Sequence, residues 1–510
     1  MIKSICIENF KCFSEPTEIH FSKLSLFSGL NSSGKSSVYQ LLLILKQSIN
    51  SVVNDSYGNI LPSLELNGEL ISLGTHDEIL SNKNRKHFSI TIVTNGGNTC
   101  TYRYSLPSNK DCIGYNFDKG KVFFLSEFTF SSMKSDFSFS IAVRDNKWFF
   151  SAKKAMNFCN GDMSYFAKNF FDDKFTPVYD NVKGDDVVIS QNVENIRDEF
   201  SAIISIDGVR QVDLSGYNIK EIVCDPVHFK DLLDPLCAEF YDINEFSNFV
   251  YEKYGYQFKN FSLRCTYALP ARIHSILISG IKYLPPFRGV PKRVYTFADD
   301  FPLPNYDNMK SQVIAYNYDF NEGSIKEDTL DAAIRYWLVD SLALAENIEI
   351  NHREYISSEL FLVINSKTIP INNVGFGTSQ IIPIIYKILI SPRNSIIIVD
   401  EPETHLHASL QSLLADFLLA MAMCGKIIII ETHSEYLIDK LIYFSVKYNY
   451  LSSAISLNWV KREGISSFVS KIQFDSLGFI SNAPCGFLNE KSKLVAELNI
   501  IRMEKFASEK

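Results

Sequence analysis

No stretch of this sequence is apolar for long enough to cross a bilayer. The longest such run, Ile381–Ile390, holds about ten residues and is broken by Lys387, whereas a spanning helix needs roughly 20. The opening MIKSICIENFKCF alternates apolar and polar residues and lacks the continuous apolar core of an export signal. A cytoplasmic chain without a membrane partner is therefore expected. The 10 cysteines are scattered from Cys6 to Cys485 and never form C-x-x-C, which suits free thiols in a reducing compartment better than a disulfide or zinc framework. Basic residues are in deficit: 50 Lys and Arg against 58 Asp and Glu leave a formal net charge of −8. That balance excludes a globally basic nucleic-acid binder, though not a local basic groove. Internal repeats and low-complexity segments are also lacking.

What the chain has in quantity is apolar and aromatic surface. Of its 510 residues 46% are hydrophobic, with 39 Phe and 25 Tyr, enough to bury a large core and to exclude disorder or a long charged coiled coil. Residues 1–150 read as strands, a Leu-rich helix over Ser36–Ile49, and then antiparallel strands. The turn Asn95-Gly96-Gly97-Asn98 joins Phe88–Val93 to Thr99–Tyr104 in an expected hairpin, and a second is expected across Asp145-Asn146. Residues 151–345 read as an insertion. Its first part, 151–220, shows no clear pattern. Helical patterns follow at Val227–Phe240 and Arg272–Ile281, then a Pro-rich loop over Leu284–Tyr295. Leu330, Ile334, Trp337, Leu338 and Leu342 recur at helical spacing within 326–346. From about 360 short β-rich runs alternate with amphipathic helices, the pattern of a mostly parallel sheet, and 346–510 form the last expected domain.

The sharpest local signal is GLNSSGKS, Gly29 to Ser36, which follows the apolar run Leu24–Phe27 and opens a helix. Gly29 and Gly34 let the backbone curl so that the amides of Asn31, Ser32, Ser33, Gly34, Lys35, Ser36 and Ser37 surround an anion at a helix N-terminus. Lys35 then reaches the β- and γ-phosphates of a nucleotide, and the Ser36 hydroxyl is a ligand for Mg²⁺. The competing reading is an accidental Gly/Ser-rich turn before a helix.

Far downstream, SIIIVDEPE (Ser395 to Glu403) is a buried strand ending in two acids. Ligands of open α/β sheets bind at such strand ends. Asp400 is placed to hold Mg²⁺ and Glu401 to act as general base toward water; a solvated acidic turn is the plainer alternative. KIIIIETHS (Lys426 to Ser434) gives a second buried strand, with His433 three residues beyond Ile430 as a candidate γ-phosphate sensor. Between the two halves, NVGFGTSQ (Asn373 to Gln380) is a glycine-rich turn feeding a helix over Ile381–Ile390. Thr378 or Ser379 is the expected cap, with Pro383 in the first turn.

This order of motifs resembles the ABC-type ATPase heads of the SMC, RecF and OLD-like families, and the opening IENFKCF resembles their N-terminal strand. The resemblance implies an α/β fold: a mixed, mainly parallel sheet flanked by helices, with an antiparallel β lobe and an α-rich insertion. It implies ATP and Mg²⁺ as ligands and ATP hydrolysis as the activity. It also implies a head-to-head homodimer in which Gly375, Gly377, Ser379 and Gln380 face the γ-phosphate on a second protomer. His405 and His407 fall near the dimer-contacting turn and read as structural. The turn is not LSGGQ, which disfavours a transporter subunit. Leu66–Ile79, Tyr283–Tyr295 and Phe479–Glu490 further resemble stand-alone prokaryotic ATPases of antiphage systems of the Septu, Septu-type retron and PARIS kinds. That implies a sensor or regulatory ATPase controlling a separate nuclease or toxin effector. A RecF- or SMC-like repair clamp is the alternative; its contact with DNA or RNA would use the basic clusters Lys83–His87 and Lys292-Arg293.

Overall fold

The computed structural model describes residues 2–49, 51–54, 60–106, 122–132, 137–144, 147–153, 220–224, 274, 277–286, 292, 295–296, 314–353, 357–481 and 497–500. Of the unpatterned segment 151–220 only Ser151–Lys153 and Lys220 are described, each within a strand, and Val227–Phe240 lies wholly outside these residues. The chain divides into two compact units, Met1–His20 with Gln40–Ser279, and Phe21–Tyr39 with Gly280–Lys510.

The first unit is built on an eight-stranded antiparallel sheet. Its order is Lys220–Cys224, Lys147–Lys153, Phe137–Arg144, Phe124–Ser132, Asn98–Ser105, His87–Thr94, Ile2–Glu8, Thr17–His20. Period-two alternation buries Phe88, Ile90 and Ile92 on one face. The expected hairpin forms with Phe88 opposite Tyr104 and Val93 opposite Thr99, closed where Gly97 takes φ +80°. The second forms with Arg144 opposite Lys147. His274 is buried in this unit, edge-on to the Tyr102 ring, with Nε2 2.8 Å from the Leu45 carbonyl.

The second unit carries a six-stranded sheet in the order Ile281–Leu284, Ile396–Asp400, Ile427–Glu431, Leu24–Gly29, Ile455–Glu463, Ser466–Ile472. The first five strands are parallel and the sixth antiparallel. Ile396–Val399 and Ile427–Ile430 are buried at every position, as strands covered on both faces must be. On one face Ile397, Val399, Ile428 and Ile430 share a core with Ile381, Ile384 and Ile385 of the helix Phe376–Ile390 and with Leu414, Phe417 and Leu418 of the helix Ala408–Met423. Each such isoleucine contributes about 1.5–3 kcal/mol by leaving water.

Several local expectations need correction. Ile281 does not end a helix. It opens a strand, because pairing with Ile396–Val399 satisfies its backbone. Residues 326–329 are not helical either. Ser324–Thr329 pairs with Ile314–Asp319, and the helix starts at Leu330, where the Thr329 hydroxyl accepts the Ala332 N–H at 3.2 Å. Ser357–Ile364 belongs to a separate small antiparallel sheet with Asn347–Arg353 and Lys367–Pro370, not to the parallel one. The helix expected over Ile381–Ile390 begins five residues earlier, at Phe376, with Gly375 as N-cap and no side-chain cap. Pro383 therefore lies in the helix interior, where its missing N–H removes the bond to the Ser379 carbonyl.

Candidate functional site

The strand Leu24–Gly29 delivers the phosphate loop, and the helix Lys35–Gln47 leaves it. A Cβ at Gly29 would sit 2.3 Å from the Val460 carbonyl oxygen, so only glycine lets the loop pack on the neighbouring strand. Gly34 takes φ +99° and Ser32 φ +61°, the left-handed curl that turns successive amides inward. Asn31 and Ser32 are exposed on the rim, while Ser33 and Ser37 are buried. The Ser467 hydroxyl donates to the Ser33 carbonyl at 2.7 Å, and the Ser37 N–H bonds the Gly34 carbonyl at 3.1 Å, which together brace the loop.

Lys35 is only 5% exposed. Its Nζ donates to the Gly29 and Leu30 carbonyls at 3.2 and 3.0 Å and lies 4.0 Å from Glu431 Oε1. Burial pulls its pKa down, and the charges of Glu431, Glu401 and Asp400 oppose that shift.

Two parallel strands bring acids to the same end. Asp400 and Glu431 are register partners at the termini of Ile396–Asp400 and Ile427–Glu431. The Tyr39 hydroxyl lies 2.6 Å from Asp400 Oδ2 and 2.8 Å from Glu431 Oε2, and the Tyr283 hydroxyl donates to the same Asp400 oxygen at 3.2 Å. The single Tyr39 proton is shared between the two acceptors. Burial and the charges of Glu431 and Glu401 push Asp400 up to about 6, against the hydrogen bonds from Tyr39 and Tyr283. Burial likewise raises Glu431, against hydrogen bonds from Ser36 and Tyr39 and the charge of Lys35.

Glu401 follows at φ +41°, its N–H bonded to the Glu431 carbonyl at 2.9 Å and its Oε2 accepting from the Thr404 hydroxyl at 3.3 Å. His433 stands exposed just past its strand. Partial burial pulls its pKa down, as does the charge of Lys35, and its N–H donates to Glu403 Oε1 at 2.6 Å.

The glycine-rich turn is arranged differently from the sequence expectation. Ser379 and Gln380 are both 2% exposed inside the helix, and the Ser379 hydroxyl donates to the Phe376 carbonyl at 2.7 Å. Gly377 packs on the loop after Glu401, where a Cβ would meet the His405 carbonyl oxygen at 2.4 Å. Phe376 sets its ring edge-on to His405, centroids 4.8 Å apart. Open surface is left at Gly375, where a Cβ meets nothing within 4 Å, and at Phe376.

Sequence reasoning missed Tyr39, Tyr283, Glu431, Glu403 and Thr404. Two of them carried a signal: Tyr39 is four residues beyond Lys35 on the same helix face, and Glu431 ends a strand of the same type as Asp400. Of the basic clusters, Arg85 is paired with Glu8 at 3.1 Å, and Arg293 lies outside the described residues. No group of three or more His, Cys, Asp or Glu able to hold a metal occurs among the described residues. The Ser36 hydroxyl and the Asp400 carboxylate nevertheless match the way Mg²⁺ is held, by one or two protein oxygens with phosphates and water completing its shell.

A phosphate loop whose buried lysine faces acids from two adjacent parallel strands defines an ATPase-type nucleotide-binding head. The chain belongs to the AAA ATPase domain family, whose model matches residues 1–205 and 307–438. No curated protein matches it. Among solved structures it is similar to the SMC head domain from Thermotoga maritima, at 11% identity over 92% of this chain and 99% of that one, TM-score 0.33. It is also similar to an SmcHead bound to the C-winged helix domain of ScpA, at 11% identity over 93% and 98%, TM-score 0.34. A third is an Smc head domain with an extended coiled coil bound to the C-terminal domain of ScpA, derived from Pyrococcus furiosus, at 11% identity over 98% and 99%, TM-score 0.32. At these TM-scores the likeness carries no functional argument. The fold is the α/β head expected, with a mixed sheet flanked by helices and an antiparallel β lobe; most of the α-rich insertion lies outside the described residues. No helix among the described residues is long and apolar enough to cross a membrane.

Proposed function

We propose that this protein binds ATP with Mg²⁺ and hydrolyses it to ADP and phosphate. The observation that carries the reading is Lys35, buried against Glu431 and bonded to its own loop carbonyls. A buried ammonium is costly unless a strong anion repays it, and the loop amides and helix N-terminus around it suit a polyphosphate. Lys35 neutralises the β- and γ-phosphate oxygens. Ser36 and Asp400 hold Mg²⁺, which when bound spreads the charge of the phosphates. Glu401, oriented through Oε2 by Thr404, accepts the proton of the attacking water, and His433 senses the γ-phosphate.

A second copy of the chain completes the site. Water at the γ-phosphate would compete with these contacts until another surface excludes it. The exposed Gly375–Phe376 tip of the Gly375–Gln380 turn serves as that surface in an isologous dimer. In the cell the reading is of a regulatory ATPase in an antiphage system, acting on a separate nuclease or toxin. It is supported by the stretches Leu66–Ile79, Tyr283–Tyr295 and Phe479–Glu490. The test is ATP turnover by the purified chain beside its Lys35→Ala variant. Equal turnover by the two would remove the phosphate loop from the activity. Loss of phage protection when Lys35→Ala replaces the wild-type residue in the gene at its native locus tests the cellular role; undiminished protection would refute it.

A further inference from the structure

We propose that Glu403 is a positioning residue of the ATPase site, clamping the backbone that carries His433 so that Glu401 and His433 move as one unit. The inference rests on the ATPase reading above. Glu403 sits in the loop Glu401–His407, which two successive turns fold tightly: the Thr404 N–H bonds the Glu401 carbonyl at 3.2 Å and the Leu406 N–H bonds the Glu403 carbonyl at 2.9 Å. Glu401 at φ +41° and His405 at φ +66° mark the strain this costs. The Glu403 carboxylate turns inward and takes the His433 N–H on Oε1 at 2.6 Å. Its Oε2 is buried without a well-aligned hydrogen bond among the described residues, the Thr432 side chain and the residue's own N–H being the other donors that favour the carboxylate.

That geometry is expensive for a merely structural contact. Every buried oxygen without a well-aligned hydrogen bond needs an explanation, and an apolar side chain at this position would avoid the penalty. What the carboxylate gains is a charge-assisted bond to one peptide, between the end of the strand Ile427–Glu431 and the cap of the helix Glu435–Lys447, where the Ser434 hydroxyl accepts the Leu437 N–H at 3.0 Å. That peptide carries His433. The same short loop holds Glu401 through Thr404 and meets the glycine-rich turn at Gly377. Base, sensor and turn are thus tied to one segment, with Glu403 as its link to the sensor.

The test compares Glu403→Leu with Glu403→Gln, whose amide oxygen can accept the same N–H, alone and with His433→Ala. Thermal unfolding establishes that each variant folds. Glu403→Leu is expected to lower kcat about tenfold with KM for ATP nearly unchanged, and Glu403→Gln to recover most of it. In the His433→Ala background Glu403→Leu is expected to cost less than about twofold more, since both act through one element. Exchange of the His433 amide is expected to quicken in Glu403→Leu and not in Glu403→Gln. A kcat for Glu403→Leu within about twofold of wild type, or a full additive loss in the His433→Ala background, overturns the inference. So does Glu403→Gln behaving like Glu403→Leu. If the wild-type chain turns over no ATP, the ATPase reading is what has failed. Exchange at His433 then decides the clamp by itself, and unchanged exchange in Glu403→Leu overturns it.

Discussion

The Tyr39 hydroxyl reaches Asp400 Oδ2 at 2.6 Å, joining the second turn of the phosphate-loop helix to the acidic strand across 361 positions of sequence. The same oxygen reaches Glu431 at 2.8 Å, so one hydroxyl holds two carboxylates in place. Tyr39→Phe leaves those acids facing each other without the donor. A stability loss of about 1–3 kcal/mol is expected from urea unfolding, with ATP affinity weakened less than turnover. Unchanged stability and turnover would mean the bridge does nothing.

Lys35→Ala removes the cation that faces Glu431 and supports the loop carbonyls. The folded variant is expected to lose ATP binding, as read by equilibrium titration with labelled nucleotide. Wild-type affinity would exclude Lys35 from the nucleotide site.

His274 gives the first unit a pH response. Burial pulls its pKa down to about 4 from an ordinary 6.5, against the Leu45 carbonyl bond, so the folded chain keeps the ring neutral. The unfolded chain takes up a proton first. The contribution of His274 is therefore complete above pH 6.5, falls as the pH drops toward 4, and changes no further below that. At pH 5 the loss is about 2 kcal/mol. Urea unfolding of His274→Phe at pH 7 and pH 5 is expected to show a correspondingly smaller decline than wild type; equal declines would contradict the assignment.

The proposed dimer is tested at the part of the turn that is exposed. A Cβ at Gly377 would strike the chain's own His405 carbonyl, whereas a Cβ at Gly375 meets nothing within 4 Å, which makes Gly375 the position at which to probe a partner. Mixing Lys35→Ala chains with Gly375→Trp chains creates heterodimers with one site carrying both defects and one carrying neither. Turnover is expected to return on mixing. Heterodimers that form and stay inactive would contradict a composite site in which each half works independently.

Much of the site was legible because its chemistry is local. Gly29 to Ser36 needs contiguous residues to curl around an anion, and Asp400 and Glu401 follow an unbroken apolar run. Tyr283 and Glu403 were not legible, because their roles come from strand order: Ile281–Leu284 lies beside Ile396–Asp400, which lies beside Ile427–Glu431, and no spacing in the chain announces that. The Phe376 helix start was missed for a different reason. Two glycines are weak helix formers by propensity, but one of them, Gly375, is the cap, and Gly377 inside the helix is required by contact with His405. The antiparallel lobe was readable where alternation was clean, as in His87–Thr94, and Ile281 was misread because a four-residue edge strand carries too little pattern to stand out from a preceding helix.

The central claim is that Glu401 takes the proton of the attacking water at a nucleotide held by Lys35. Steady-state ATPase and equilibrium ATP binding, measured side by side on Glu401→Gln, test it most directly. The account predicts ATP affinity close to wild type with turnover lowered about 100-fold or more. Turnover within about twofold of wild type would contradict it.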